Sequence, residues 1–244
     1  MAGKLGRLPR KENPRTLKLS KYLKLDAAPS KVYWEYKNND WPMMANDSIG
    51  DCTCACAGHM IQNWTAHTYG MATPSDQDII AAYSAITGYN PNDPSTDQGA
   101  AISDVLNYWQ QTGIAGHKIL AWAEIDVTNI ASVKLATFLF GGIDCGFNVP
   151  ESAMNQFDAG QAWTPVPDSP IEGGHSVPIL GFGSEGATCI TWAKRQPLTW
   201  DFFIQYFDEA YAVVTSDFLT SAQKSPIAGL DLATLEADLQ ALKQ

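Results

Sequence analysis

The sequence predicts an α+β fold in which a helical half and a β-rich half meet at a cleft, preceded by a basic N-terminal arm. Three observations predict it. Helix-capping signals and apolar residues three or four apart are concentrated before about residue 112. Short apolar runs bounded by glycine and polar residues dominate after residue 141, and such segregation is the pattern of α+β chains. Residues 1–24 hold eight lysines and arginines against Glu12, a balance of +7; the whole 244-residue chain carries −10, so the rest carries −17. With 45% apolar residues the chain can build a sizeable core. The expected division is an arm over 1–26, a body over 27–222 and a C-terminal helical extension over 223–244.

The arm interleaves Leu5, Leu8, Leu17, Leu19, Tyr22, Leu23 and Leu25 with its charges, and a purely solvated tail is poorer in such groups. We expect it to dock its leucines on an apolar groove and to turn its charges to acidic surface, on this body or on a neighbouring subunit. Cys52 to about Thr68 reads as a helix entered from the turn-forming run 46–51, and its alanines and cysteines suit tight burial. A second helix opens at Ser75, with Asp78 in the capping-box position, and carries Ile79, Ile80, Tyr83 and Ile86. A third, over about 100–112, aligns Ile102, Val105, Leu106 and Trp109 on one face. Residues 131–140 read as one more helix. Residues 141–149, 176–182, 188–192 and 211–214 read as short strands. Leu232, Leu235, Leu239 and Leu242 are spaced for a helix too short to specify a coiled coil, so it is expected to pack on the body.

The charge pattern and composition bound the function. An acidic body makes nucleic acid an unexpected partner outside the arm. No window approaches the ~18 apolar residues of a membrane span. Lys4, Arg7, Arg10 and Lys11 lead into further charge rather than an apolar stretch, so no signal peptide is read and a cytoplasmic or virion location is expected. Five cysteines, three of them at Cys52, Cys54 and Cys56, do not suggest a disulfide framework and fit a reducing compartment. Cys52, Cys56 and His59 share a helix face, but Cys54 points away and the spacing is unlike zinc hooks. No metal or other cofactor is expected, and Cys54 and Cys56 read as small core residues. His59, His67 and His117 read as structural or surface residues.

One constellation carries chemistry. Cys52 stands where a Gly-Asp turn enters a helix, and the free N–H groups and dipole of a helix N-terminus favour a thiolate. Asn46, six residues earlier, is a side-chain amide able to join the Cys52 N–H as an oxyanion donor. Far downstream, Gly173-Gly174-His175-Ser176-Val177 puts a histidine at the start of an apolar strand among small neighbours. A cysteine paired with a remote histidine is the arrangement of thiol catalysis.

These residues resemble the papain-like cysteine peptidases. Trp34, Asn46 and Cys52 stand at the family's spacing for a tryptophan, an oxyanion glutamine and the nucleophile. Pro74-Ser-Asp-Gln-Asp is similar to the family's Leu-Ser-Glu-Gln helix. Gln98-Gly99 resembles the glycine turn that meets substrate backbone, and Gly174-His175-Ser-Val to Gly181-Phe-Gly183 resembles the catalytic-histidine strand. Ile190-Thr191-Trp192, Trp200 and residues 209–213 follow the closing segments. The resemblance implies that 27–222 is a papain-like domain. It implies Cys52, His175 and Asn46 as catalytic residues, and Gly99, Gly174 and Trp192 as substrate-binding ones, with core packing or shielding the other role for Trp192. The departures are Asn46 for glutamine, Thr53 for the tryptophan after the nucleophile, Ile49 for a disulfide cysteine, and Ile190 for the asparagine that orients the imidazole. Thr191 is the nearest polar substitute for that asparagine. Residues 1–26 are far shorter than the family's inhibitory pro-segment and lack an obvious stretch to fill the cleft.

Two functions follow. One is a thiol hydrolase, a peptidase or amidase, with a peptide or amide substrate. The other is a non-catalytic papain-fold structural or binding component of a larger assembly such as a virus particle, favoured by Ile190 and by an arm able to reach a protein partner.

Overall fold

A computed structural model of the chain describes residues 3–23, 27–68, 70–218 and 231–242. Strands are β1 (Val32–Tyr33), β2 (Ile119–Glu124), β3 (Ile143–Pro150), β4 (Ile171–Phe182), β5 (Gly186–Thr191), β6 (Lys194–Thr199) and β7 (Phe207–Thr215). Helices are α1 (Cys52–His67), α2 (Asp76–Thr87), α3 (Ile102–Gln111), α4 (Ile130–Phe140), α5 (Glu151–Asp158), α6 (Trp200–Tyr206) and α7 (Leu232–Leu242). All strands join one antiparallel sheet in the order β2-β7-β3-β4-β5-β6, with β1 added along β4. Helices α1–α3 enclose one apolar core with Met44, Trp64, Tyr83 and Trp109 at its centre. The sheet and the later helices enclose another around Phe140, Phe147, Trp163 and Phe202. The α+β expectation, with a helical half facing a β-rich half, therefore holds.

Local chemistry explains where the elements stop. Ser75 and Asp78 form the reciprocal capping box that starts α2. Gly141, in the left-handed region at φ +67, ends α4, so β3 begins at Ile143 rather than at the expected 141. Trp192 and Ala193, at φ 44 and 62, form the two-residue turn of the β5–β6 hairpin. That turn lacks the glycine or asparagine that signals such hairpins, and β6 carries Pro197 at a sheet edge. For those reasons β6 was not expected. Neither were β2, α5 and α6, the two helices being only eight and seven residues long.

Candidate active site

Cys52 is the first residue of α1, the helix that crosses from the helical half onto β4. It is 1% exposed, and burial pushes its thiol up to about 12, while backbone N–H groups of Ser176 and Gly6 pull the other way. The expected lowering of the thiol pKa is therefore reversed: desolvation outweighs the helix terminus. Asp51 before it is fully buried, its side chain makes no cap bond, and neither of its carboxylate oxygens has a hydrogen bond among the described residues. Burial raises that carboxyl to about 8, opposed by the nearby Asn46 amide.

His175 lies inside β4, opposite Phe147 of β3, and is 1% exposed. Its Nε2 is 2.7 Å from Thr191 Oγ1, and the Trp192 ring stacks on the imidazole at 4.5 Å and 24°. The turn at Trp192 and Ala193 is what brings that ring back over the histidine, at the cost of two non-glycine residues with positive φ. Nδ1 has no hydrogen-bond partner among the described residues. Burial, and then the charge of Arg7, lower the imidazole to about 3, so it is neutral. Ile190 points into a small cluster with Trp41 and Leu180. Side chains alternate along a strand, so Thr191 presents its hydroxyl on the face opposite Ile190.

The arm lies along the residues that flank Cys52 and His175. Lys4 N–H donates to Asn46 C=O (2.7 Å), and Asn46 Nδ2 donates to the carbonyls of Lys4 and Ile49 (both 3.2 Å). Gly6 and Arg7 donate their N–H groups to Gly174 C=O (3.2 and 3.0 Å). Ala100 N–H donates to Gly6 C=O (2.9 Å), and Leu8 N–H to Ala100 C=O (3.0 Å). Backbone lies directly on backbone: a Cβ on Gly6 would sit 1.8 Å from Gly50 O, and one on Gly174 2.3 Å from Arg7 O. Gly99, at φ +77, would put a Cβ 2.1 Å from Gly6 O. Gly3 meets Trp192. Asn46, Gly99, Gly174 and Trp192, singled out from the sequence, thus all face the arm. The expectation that the arm lacks a cleft-filling stretch is corrected: five extended residues with one glycine suffice.

Beside this pairing sits an acidic recess that sequence reading missed. Arg7 Nη1 donates to Glu209 Oε1 (2.6 Å) and ion-pairs with Asp208 Oδ1 (2.9 Å); Nη2 donates to Asp208 Oδ2 (3.1 Å) and Asn148 Oδ1 (3.2 Å). Tyr211 donates its hydroxyl to Glu209 Oε2 (2.8 Å). Burial raises the Glu209 carboxyl, with Arg7 opposing. Nearby, the fully buried Asp144 accepts from Ser176 Oγ (2.9 Å) and Cys56 Sγ (3.2 Å), and burial raises it to about 7. Cys56 is thus a hydrogen-bond donor as well as a core residue, while Cys54 packs in the helical core. A signal for the recess did exist: Asp208 and Glu209 open an otherwise apolar strand, and a buried carboxylate needs a partner. His59 is bonded to Pro42 C=O, His67 to Trp34 C=O and His117 to Asp217, none of them beside Cys52.

No protein-family model matches the sequence, and no curated protein matches it. Solved structures do. Xylellain, a cysteine protease from Xylella fastidiosa, aligns with a TM-score of 0.69 at 17% identity over 88% of this chain and 97% of that one. ProCathepsin B S9 from Trypanosoma congolense gives 0.59 at 12% identity over 86% of each chain. The bromelain protease from Ananas comosus, determined in complex with the E64 inhibitor, gives 0.53 at 13% over 77% and 99%. The chain has the papain-like fold. Within that fold the helical half carries Cys52 on α1 and the sheet carries His175 on β4 and Thr191 on β5, the two halves the sequence resemblance implied.

Proposed function

We propose that the chain is a thiol hydrolase of peptide or amide bonds, with Cys52 as nucleophile and His175 as base, held latent by its own arm. The observation that carries this reading is the buried His175: Nε2 is engaged by Thr191, Trp192 covers the ring, and Nδ1 is unpartnered on the strand whose next N–H faces the Cys52 sulfur. The cysteine proteases among the solved structures of this fold support it. So does the arm itself, which lays peptide backbone along Asn46, Gly99–Ala100 and Gly174 as a substrate would have to lie.

In this mechanism the arm first leaves the cleft and water reaches Cys52. His175 Nδ1 takes the thiol proton as the sulfur forms a bond to the carbonyl carbon. The oxyanion then accepts from Asn46 Nδ2, released from Lys4 C=O, and from the Cys52 N–H. Collapse breaks the C–N bond, the amine leaves with the proton from His175, and water deprotonated by His175 frees the acyl group and restores the thiol. Thr191 is the positioning residue. Its hydroxyl can donate or accept, so it holds the ring plane without fixing the tautomer as firmly as an asparagine carbonyl does.

The test is hydrolysis of a fluorogenic peptide amide by a Gly6→Val chain, whose added side chain collides with Gly50 and opens the cleft. Turnover is expected, is abolished by adding Cys52→Ala, and falls roughly tenfold or more in kcat with Thr191→Val. Turnover that survives Cys52→Ala contradicts the reading, as does a correctly folded Gly6→Val chain that hydrolyses nothing. Of the arm charges expected to meet acidic surface on this body or on a neighbouring subunit, four meet it on this body: Arg10 and Lys18 reach Glu124, Lys11 reaches Asp104, and Lys21 reaches Asp238.

A further inference from the structure

The recess that holds Arg7 is built for a guanidinium. Its walls are Glu209, Asp208 and Asn148, and Gly146 forms its floor, where a Cβ would lie 2.7 Å from Arg7 Cδ and 2.8 Å from Glu209 Cγ. The Arg7 side chain is 1% exposed and that of Glu209 2%, so the pair is desolvated rather than a surface contact. Two carboxylates and an amide oxygen meet both terminal nitrogens of the fork, a geometry that suits arginine better than lysine. Tyr211 holds Glu209 from its other oxygen. Arg7 also donates its backbone N–H to Gly174 C=O, so the recess is in register with any chain that lies along the cleft.

We infer that, once the arm has left, this recess is a specificity pocket that selects peptide substrates carrying arginine close to the scissile bond, with Glu209 and Asp208 as the specificity-determining residues. The inference rests on the thiol-hydrolase reading for its catalytic half only. The physical drive is independent of it: departure of Arg7 removes the counter-charge of Glu209 and Asp208, and a guanidinium that enters in its place regains the charge-assisted hydrogen bonds. An arginine from an incoming peptide restores the ion pair. Citrulline, which keeps the shape and loses the charge, does not.

Two measurements separate the inference from the reading beneath it. The first is binding, which needs no catalysis. A full-length Arg7→Ala, Cys52→Ala chain is titrated with a labelled peptide of the arm sequence Gly-Lys-Leu-Gly-Arg-Leu-Pro-Arg, and with the same peptide carrying citrulline at the fifth position. The arginine peptide is expected to bind at least about tenfold tighter. Adding Asp208→Asn, at a half-exposed side chain whose change leaves the core intact, or Glu209→Gln should each reduce that ratio. The second is turnover by the full-length Arg7→Ala chain of a fluorogenic library in which one position at a time is arginine, lysine, citrulline, leucine or glutamate. One position is expected to prefer arginine over citrulline in kcat/KM by about tenfold or more, and to lose the preference with Glu209→Gln. Equal binding of the two peptides, or binding of neither, overturns the pocket, as does turnover indifferent to arginine at every position, which leaves the hydrolase standing. Selective binding with no turnover of any library member keeps the pocket and removes the hydrolase.

Discussion

The inner and outer parts of the arm are fastened by different physics. Residues 4–8 lie in the cleft chiefly on backbone hydrogen bonds to Asn46, Ala100 and Gly174 and on the ion-pair cluster of Arg7, with Leu5 alone packed against the sheet-side core. Residues 17–23 are held by burial. Leu19 and Tyr22 are each 1% exposed within the sheet-side core, with Leu17 and Leu23 packed against it. Tyr22 also accepts the Asp231 N–H and donates its hydroxyl to Asp238 of α7, next to the buried Leu235. The difference teaches what each part can do. A competing peptide reproduces backbone hydrogen bonds and one charged fork, so the inner part can be displaced. Apolar burial in a shared core is lost only with the core, so the outer part stays and keeps the inner part close to the cleft.

The largest effect is expected at the outer part. Leu19→Ala should cost about 2–4 kcal/mol through lost burial and a residual cavity, read as a lower denaturant midpoint with unchanged slope, while Cys52 stays protected from alkylation below the transition. An exposed Cys52 in a fully stable Leu19→Ala chain would erase the distinction between the two parts.

At the inner part Arg7→Met tests the converse. Breaking a buried pair costs about 3–5 kcal/mol where the abandoned charge stays dry. Here the segment can lift and let water reach Glu209, so the loss should stop at about 1–2 kcal/mol, with faster Cys52 alkylation. A loss at the full value with Cys52 still protected would show the inner part to be as fixed as the outer.

An effect of comparable size is a pH dependence that belongs to the cleft. Asp51 and Asp144 keep their protons up to about 8 and 7 in the folded chain against ~3.9 when unfolded, so the folded state binds more protons in between and stability falls as pH rises. His175 and His59 are lowered to about 3 and 4, which adds stability as pH rises only as far as the unfolded value of ~6.5. Between pH 6.5 and 8 the acids therefore act alone, at roughly 1.4 kcal/mol per pH unit for each proton retained. Thermal melts across that window should fall and should flatten in Asp51→Asn. The exposed pair between the two parts of the arm, Lys11 with Asp104, contributes little by comparison.

What was legible in the sequence was what has a local signature. Ser75 and Asp78 announce a capped helix, Cys52 follows a turn into an alanine-rich helix, and His175 stands among glycines on an apolar strand. Thr191 was legible only as the polar residue nearest to Ile190; its turn toward His175 comes from the two-residue period of the strand, which puts adjacent side chains on opposite faces. The route of the arm was not legible. Much of its hold on the cleft is backbone hydrogen bonding, to which any sequence with Gly6 contributes alike, and of the inner part's leucines only Leu5 packs against the sheet-side core. Nor was the pairing of Arg7 with Glu209 legible: the two acids at the start of an apolar strand signal a recess, but 202 positions separate Glu209 from Arg7 and Arg7 is one basic residue among several in the arm. The raised thiol of Cys52 was missed for the same reason: the helix terminus is visible in the sequence, and the segment that dries it is not.

The central claim, an activatable Cys52 covered by the inner arm, is tested most directly by mass-mapped iodoacetamide labelling of the folded chain across pH 5–9, before and after Gly6→Val. In the unaltered chain Cys52 should resist as Cys54, Cys56, Cys145 and Cys189 do, all five being buried. In Gly6→Val it should label selectively well below pH 8, as a thiol at a helix terminus beside a histidine does once water reaches it. Selective labelling of Cys52 only in the opened chain is the predicted result; a Cys52 that stays inert in both chains, or labels no faster than the other four after the cleft is opened, would contradict it.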